Sequence, residues 1–220
     1  MIELPDFEKS FEYENNFYFS CASQRIGKLL AHYELYKLIR SLPGEIIECG
    51  IFKGSSFLRF AMFRELFGDT TSKRMIGFDV FDKFPETEFY EDKELRQEFI
   101  NTAGEQGISM EQLMDILKHK GVEKQVELVQ GDILKTVPSY VRLHPDLQIS
   151  LLNLDTDIYE PAVTILEHLY PRIVKGGILI MDDYDVFPGE TKAVNDYFKD
   201  KNIKIQKFSF SSTPCYIIKS

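Results

Sequence analysis

The chain has 220 residues, 44% hydrophobic and 28% charged, which is enough for one sizeable core with a small extra lobe and too few for two full catalytic domains. With 35 acidic side chains against 26 basic ones the net charge is −9. That excludes a general basic nucleic-acid footprint and suits a protein that binds cations or a positively charged cofactor.

Three cysteines, Cys21, Cys49 and Cys215, make no disulfide framework and fit a reducing compartment. No apolar run is long enough to span a bilayer, and the opening MIELPDFEKS is acidic where a signal peptide is basic and then apolar. The expectation is a cytoplasmic protein without membrane contact.

Residues 1–24 mix acids with the aromatics Phe7, Phe11, Tyr13, Phe17, Tyr18 and Phe19 in no clean period. A segment this aromatic is expected to pack, either as a strap over the core or as a lid over a site. From Gln24 to Leu42 the pattern is helical, with Ile26, Leu29, Leu30, Tyr33 and Tyr36 on one face and Pro43-Gly44 as the stop. Glu45–Gly50 reads as a buried strand and Gly54–Phe67 as a helix. Met75–Phe81, Val126–Gln130, Ile149–Leu154 and Ile178–Met181 read as four more strands, with helices near Glu160–Leu169 and Glu190–Phe198. Strands alternating with helices predict an α/β fold with a mostly parallel sheet covered on both faces.

Two segments depart from that alternation. Residues 86–121 form a charged, largely helical insertion with a capping box at Ser109 and Gln112. At the other end Ile203–Phe210 alternates, Ser-Ser-Thr-Pro turns, and Cys215–Ile218 returns, which predicts a terminal antiparallel hairpin. The predicted organisation is an N-terminal strap or lid at 1–24 and one domain at 25–220.

Four constellations carry chemistry. In Glu48-Cys-Gly50-Ile-Phe-Lys-Gly54-Ser55-Ser, a glycine at a strand end permits a sharp turn and the next helix aims its N–H groups at a ligand. The dinucleotide pattern G-x-G-x-x-G is absent. Asp79, at the end of the second strand, suits both hydroxyls of a ribose, with Asp82 in competition; a solvated loop acid would look the same. Asp132 suits an adenine amino group or a helix N-cap. The fourth is the strongest: Leu-Asn-Leu-Asp155-Thr-Asp157 and Ile-Met-Asp182-Asp183-Tyr-Asp185 end adjacent parallel strands. Carboxylates crowded there repel unless a cation sits between them, and all-oxygen donors favour Mg²⁺ or another hard divalent cation over zinc. The four histidines are assigned no role, and Cys49 reads as a small buried side chain.

The order ECGIFKG, GFDVFDKFP, LVQGD, LNLDTDIYEP, LYPRIVKGGILIMDDYD and GETKAVNDYF resembles the macrocin O-methyltransferase-like family over about residues 25 to 218. These are class I S-adenosylmethionine-dependent, metal-dependent sugar O-methyltransferases. The resemblance implies a Rossmann-like, seven-stranded sheet with a reversed last strand. It implies metal ligands at Asp155, Asp182 and Asp183, and a catalytic pair of Asp157, the general base, with Asp155. The implied cofactor contacts are Glu48, Gly50, Gly54, Ser55, Asp79, Asp132 and Asp155. The implied partner is a sugar or sugar-nucleotide acceptor, and a homodimer is expected from the aromatic N-terminus. This sequence departs from the family at Lys83, where a glycine is usual. The alternatives are a catechol-like phenol acceptor, disfavoured because Ile158 and Tyr159 stand where such enzymes place a lysine, or Mg²⁺-dependent phosphate chemistry, for which no G-x-x-x-x-G-K-[ST] loop is present.

Overall fold

Apolar segments of five to nine residues become the strands β1 (Glu45–Cys49), β2 (Met75–Asp79), β3 (Val126–Gln130), β4 (Ile149–Leu154) and β5 (Ile173–Met181) in the computed structural model, which describes residues 1–220. They pair in parallel in the order β3-β2-β1-β4-β5, and β6 (Cys215–Ile218) closes the edge antiparallel to β5. Alternation along each strand sends side chains to opposite faces. Ile46, Leu151 and Ile178 join one core and Ile47, Leu152 and Leu179 the other, so both faces are covered by helices.

Strand register fixes the site. Cys49 pairs with Phe78 on one side and Leu154 on the other, and Leu154 pairs with Met181. The next residue along each strand, Gly50, Asp79, Asp155 and Asp182, therefore falls in one row at the carboxyl edge. The strand order reverses between β1 and β4, and such a switch point opens a crevice.

The helices are α1 (Ser10–Ser20), α2 (Ser23–Ile39), α3 (Ser55–Leu66), α4 (Asp92–Ala103), α5 (Met110–His119), α6 (Ile133–Leu143), α7 (Tyr159–His168) and α8 (Pro188–Phe198). The capping box at Ser109 and Gln112 is formed. No helix is long and apolar enough to cross a membrane.

Three details differ from expectation. The buried face of α2 is Gly27, Ala31, His32, Leu35, Tyr36 and Ile39, and Leu30 is exposed. The apolar pattern missed this face because it includes a buried histidine and two small residues that admit close neighbours; a Cβ on Gly27 would lie 2.7 Å from the Phe210 carbonyl oxygen. The sheet has six strands rather than seven. Ile203 and Ile205 pack on the core, yet only Gln206 bridges to Tyr216, through backbone bonds of 2.9 and 2.8 Å. Beyond it the chain turns at Ser211, whose N–H reaches the Phe208 carbonyl, and tucks against α2 instead of extending a ladder. At the other terminus, Ile2 exchanges hydrogen bonds with Gln112 and Phe7 stacks on His119, while α1 buries no residue and leaves Phe11 and Phe19 exposed.

Candidate active site

A cavity of about 560 Å³ opens over the carboxyl edge of the sheet. Its floor begins at Gly50, whose φ of +87° is the left-handed region that favours glycine; a Cβ there would sit 1.7 Å from the Asp155 carbonyl oxygen. The close approach brings the end of β1 onto the end of β4. Gly54 (φ +84°) then starts α3, placing Ser55 and Ser56 on the cavity wall. Gly54 itself shapes the turn from behind that wall, against Leu113.

Carboxylate oxygens of Asp155, Asp182 and Asp183 lie within 4.8 Å of one another, the ligand set expected from the sequence. Burial, reinforced by neighbouring carboxylates, pushes the Asp155 and Asp183 carboxyls well above the usual carboxylate range. Burial acts on Asp182 too, but the Lys28 ammonium and a hydrogen bond from His32 outweigh it and hold Asp182 low. The charge, spacing and oxygen-only donors fit a hard divalent cation, and the Lys28 ammonium already stands there as a cationic partner.

Asp157 is outside that triad. It adopts φ +63°, a conformation uncommon for a residue with a side chain. Its carboxyl meets that of Asp183, which requires a shared proton, and burial followed by the Asp155 charge keeps it protonated well above the ordinary range.

The other predicted residues divide into two groups. Asp79, Asp82 and Asp132 line the cavity. Asp79 accepts backbone N–H bonds from Ile51 (2.6 Å), Phe52 (3.1 Å) and Phe81 (2.6 Å), so much of its capacity goes to holding the β1 and β2 loops together. Asp132 caps α6 through the Leu134 N–H while keeping its place on the wall. Glu48, in contrast, is fully buried and off the wall. It accepts from Ser56 Oγ at 2.8 Å, and burial pushes its carboxyl up to about 8. It touches the cavity wall only through Ser56, whose side chain it accepts from.

Sequence reasoning missed several groups. α2 and α3 contribute Lys28, His32 and Arg59: His32 Nε2 is 3.3 Å from Asp182 Oδ1, and Arg59 reaches His32 Nδ1 at 2.9 Å. Glu190 is fully buried and accepts the Asp183 N–H at 3.0 Å. Asp92 accepts from Tyr159 N (3.0 Å) and Gly189 N (2.7 Å), and Glu160 from Glu88 N (2.8 Å), Phe89 N (3.0 Å) and Thr87 Oγ1 (3.0 Å). These two acids fasten the insertion to the strand-end loops. Only Lys28 and His32 carried a local signal, their i, i+4 spacing on one helix face.

A family model described as Macrocin-O-methyltransferase (TylF) matches residues 22–216. The 8-demethyl-8-(2,3-dimethoxy-alpha-L-rhamnosyl)-tetracenomycin-C 4'-O-methyltransferase of Streptomyces olivaceus is 30% identical over 164 residues, 73% of this chain and 60% of that protein. The chain spans about 60% of the length of the curated relatives it matches. Among solved structures, the calicheamicin methyltransferase CalS11 superposes with a TM-score of 0.75 at 26% identity, covering 95% of this chain and 85% of that one. Its apo structure, described as a TDP-rhamnose 3'-O-methyltransferase, gives a TM-score of 0.68 at 25% identity, covering 97% and 87%.

Proposed function

The chain belongs to the macrocin-O-methyltransferase (TylF) family, and from this we propose that it transfers a methyl group from S-adenosylmethionine to a hydroxyl of a sugar or sugar nucleotide. The observation that carries the reading is the convergence, in one cavity, of the Gly50–Ser56 turn with the Asp155, Asp182 and Asp183 triad. S-adenosylmethionine supplies a methyl already activated on a sulfonium. Its nucleoside fits the wall from Asp79 and Asp82 to Asp132, and its sulfonium charge suits the acidic floor at Asp155.

Asp155, Asp182 and Asp183 would hold Mg²⁺, which when bound would acidify and orient a sugar hydroxyl. A sugar hydroxyl is too weak an acid for a lone carboxylate base, so those acids belong beside the acceptor. Asp157 serves as the base in its ionised form, which positive charge brought to the neighbouring acids would favour; it lines the cavity, and its contact with Asp183 holds it beside the triad. The chain aligns the acceptor oxygen with the methyl carbon by closing the cavity with the insertion loop at Pro85, Glu86 and Glu88. The reducing cytoplasm is the expected setting, supported by three unpaired cysteines, and a homodimer is supported by the uncovered aromatics of α1.

The first test is isothermal titration with S-adenosylmethionine and its demethylated product, with Mg²⁺ and after chelation, followed by mass spectrometry on sugar nucleotides and glycosides. Micromolar binding of both ligands, silence of NAD⁺ and a mass gain of about 14 Da on a vicinal-diol acceptor are expected. Absence of cofactor binding with and without metal would sink the methyltransferase reading.

A further inference from the structure

Asp182 is the triad member whose two oxygens both have partners: His32 Nε2 lies against Oδ1 at 3.3 Å, and the Lys28 ammonium lies against Oδ2. The partners differ in kind. His32 is fully buried, stacked on Phe60 with ring centroids 4.9 Å apart, and its Nδ1 faces an Arg59 nitrogen at 2.9 Å. A guanidinium only donates, so Nδ1 must accept; the ring proton is then on Nε2 and is donated to Asp182. Packing and this second hydrogen bond fix the ring in place.

Lys28 has neither restraint. Its side chain is 20% exposed, ends a flexible four-carbon stem, and brings its charge into the field of Asp155, Asp182 and Asp183. The ammonium touches Asp182 directly, and the charges of Asp155 and Asp183 act on it as well. A divalent ion taken up through Asp182 needs a free oxygen, and Oδ2 can be released by rotating a lysine stem. Releasing Oδ1 would instead require unpacking a buried ring.

We propose that Lys28 is the resident, exchangeable cation of this site. It balances the acids in the metal-free protein and leaves Asp182 Oδ2 when a divalent cation enters. His32, steadied by Arg59, is a positioning residue that keeps Oδ1 engaged so that Oδ2 faces the site. The inference rests on the metal reading given above and adds the two residues that tune it. Its consequence is a pair of opposite signs. An internal competitor lowers apparent metal affinity by the fraction of time it vacates the site, so removing it tightens binding. Removing an orienting partner of a ligand weakens binding.

The experiment titrates Mn²⁺ into metal-free protein, read by electron paramagnetic resonance, for the wild type, Lys28→Met, His32→Leu and His32→Gln. Lys28→Met is expected to bind Mn²⁺ about tenfold more tightly. His32→Leu is expected to bind about tenfold more weakly, with His32→Gln, which retains an N–H donor, recovering much of the loss. Calorimetric binding of the demethylated cofactor is followed in parallel. Equal or weaker Mn²⁺ binding by Lys28→Met overturns the exchange while leaving the metal reading intact. If no variant and no wild type binds Mn²⁺, the metal reading falls and this inference with it. Should circular dichroism show His32→Leu unfolded, His32→Gln and the sign of the Lys28→Met change decide.

Discussion

Asp157 combines a left-handed backbone, a carboxyl contact to Asp183 and a position outside the metal-type triad. A residue that paid a conformational cost only to ligate would be expected within the triad's 4.8 Å cluster, so its separation points to proton handling. Replacing Asp157 by Asn keeps the shape and removes the base. Methyl transfer should fall by about 10²–10⁴-fold, the usual worth of a positioned base. Mn²⁺ affinity, measured by the same resonance titration, should change little, because the three ligand carboxylates remain. Full activity of Asp157→Asn on a confirmed acceptor would remove the base assignment. Lys28, His32 and Glu190 belong to the same scale: each sets the position or charge of one aspartate.

At the scale of elements, the insertion is more than an appended lobe. Its loop after β2 is fastened by Glu160, at the start of α7, and its helix α4 by Asp92, which reaches across to Tyr159 and Gly189. The cavity wall at Pro85, Glu86 and Glu88 is thereby tied to the strand-end loops that carry the acids. Glu160→Ala removes a charged acceptor from two backbone amides and the Thr87 hydroxyl, a loss of about 1–3 kcal/mol locally. The expected result is faster proteolytic cleavage within residues 84–91 and a several-fold higher KM for the acceptor. A KM equal to wild type would show that this wall does not shape acceptor binding.

For the whole molecule, the buried acids make stability depend on pH. Glu48, pushed up to about 8 by burial, and Asp155, Asp157, Asp183 and Glu190, also raised by burial, bind more protons folded than unfolded. Stability therefore falls as pH rises from the ordinary carboxylate range towards 8. Asp182 and His32 have the opposite sign: the contribution of Asp182 is lost only in strong acid, outside that window, and His32, held below its ordinary value by burial, is one group against five within it. Thermal unfolding of the metal-free protein should show a lower Tm at pH 8 than at pH 5.5, and Glu48→Gln should flatten the decline. Mg²⁺ at a hundred times its Kd should add about 2.7 kcal/mol, a Tm rise of about 5–10 °C for a chain of this size. At a fixed Mg²⁺ concentration the rise should be larger at pH 8, where protons no longer compete for the acids. A Tm that climbs between pH 5.5 and 8 without metal would contradict these assignments.

Much of this architecture was legible locally. The strand runs at Val126–Gln130 and Ile149–Leu154 coincide with β3 and β4: β4 is buried throughout and mostly apolar, while β3 is the half-buried edge strand, whose apolar and polar residues are mixed. The acids that close β4 and β5 were visible as a crowded cluster because apolar runs lead straight into them, and the resemblance singled out Asp155, Asp182 and Asp183 among them. The family resemblance then identified the chemistry. The α2 face was misjudged because periodicity counts apolar residues, and its buried stripe includes His32. The last strand was overcounted because alternation signals side-chain burial, while a ladder needs backbone partners along its whole length.

The sequence by itself determined the strand–helix order, the sheet's carboxyl-edge acids and the family, since each is written in contiguous residues whose spacing follows backbone periodicity. Only the tertiary structure decided that Glu48 sits behind the wall, that Asp79 gives its oxygens to backbone amides, and that Lys28 and His32 of α2 meet Asp182 while Arg59 of α3 meets His32. The contacts of Lys28 and His32 with Asp182 join residues 154 and 150 positions apart, and no local period encodes which buried donor will face which carboxylate.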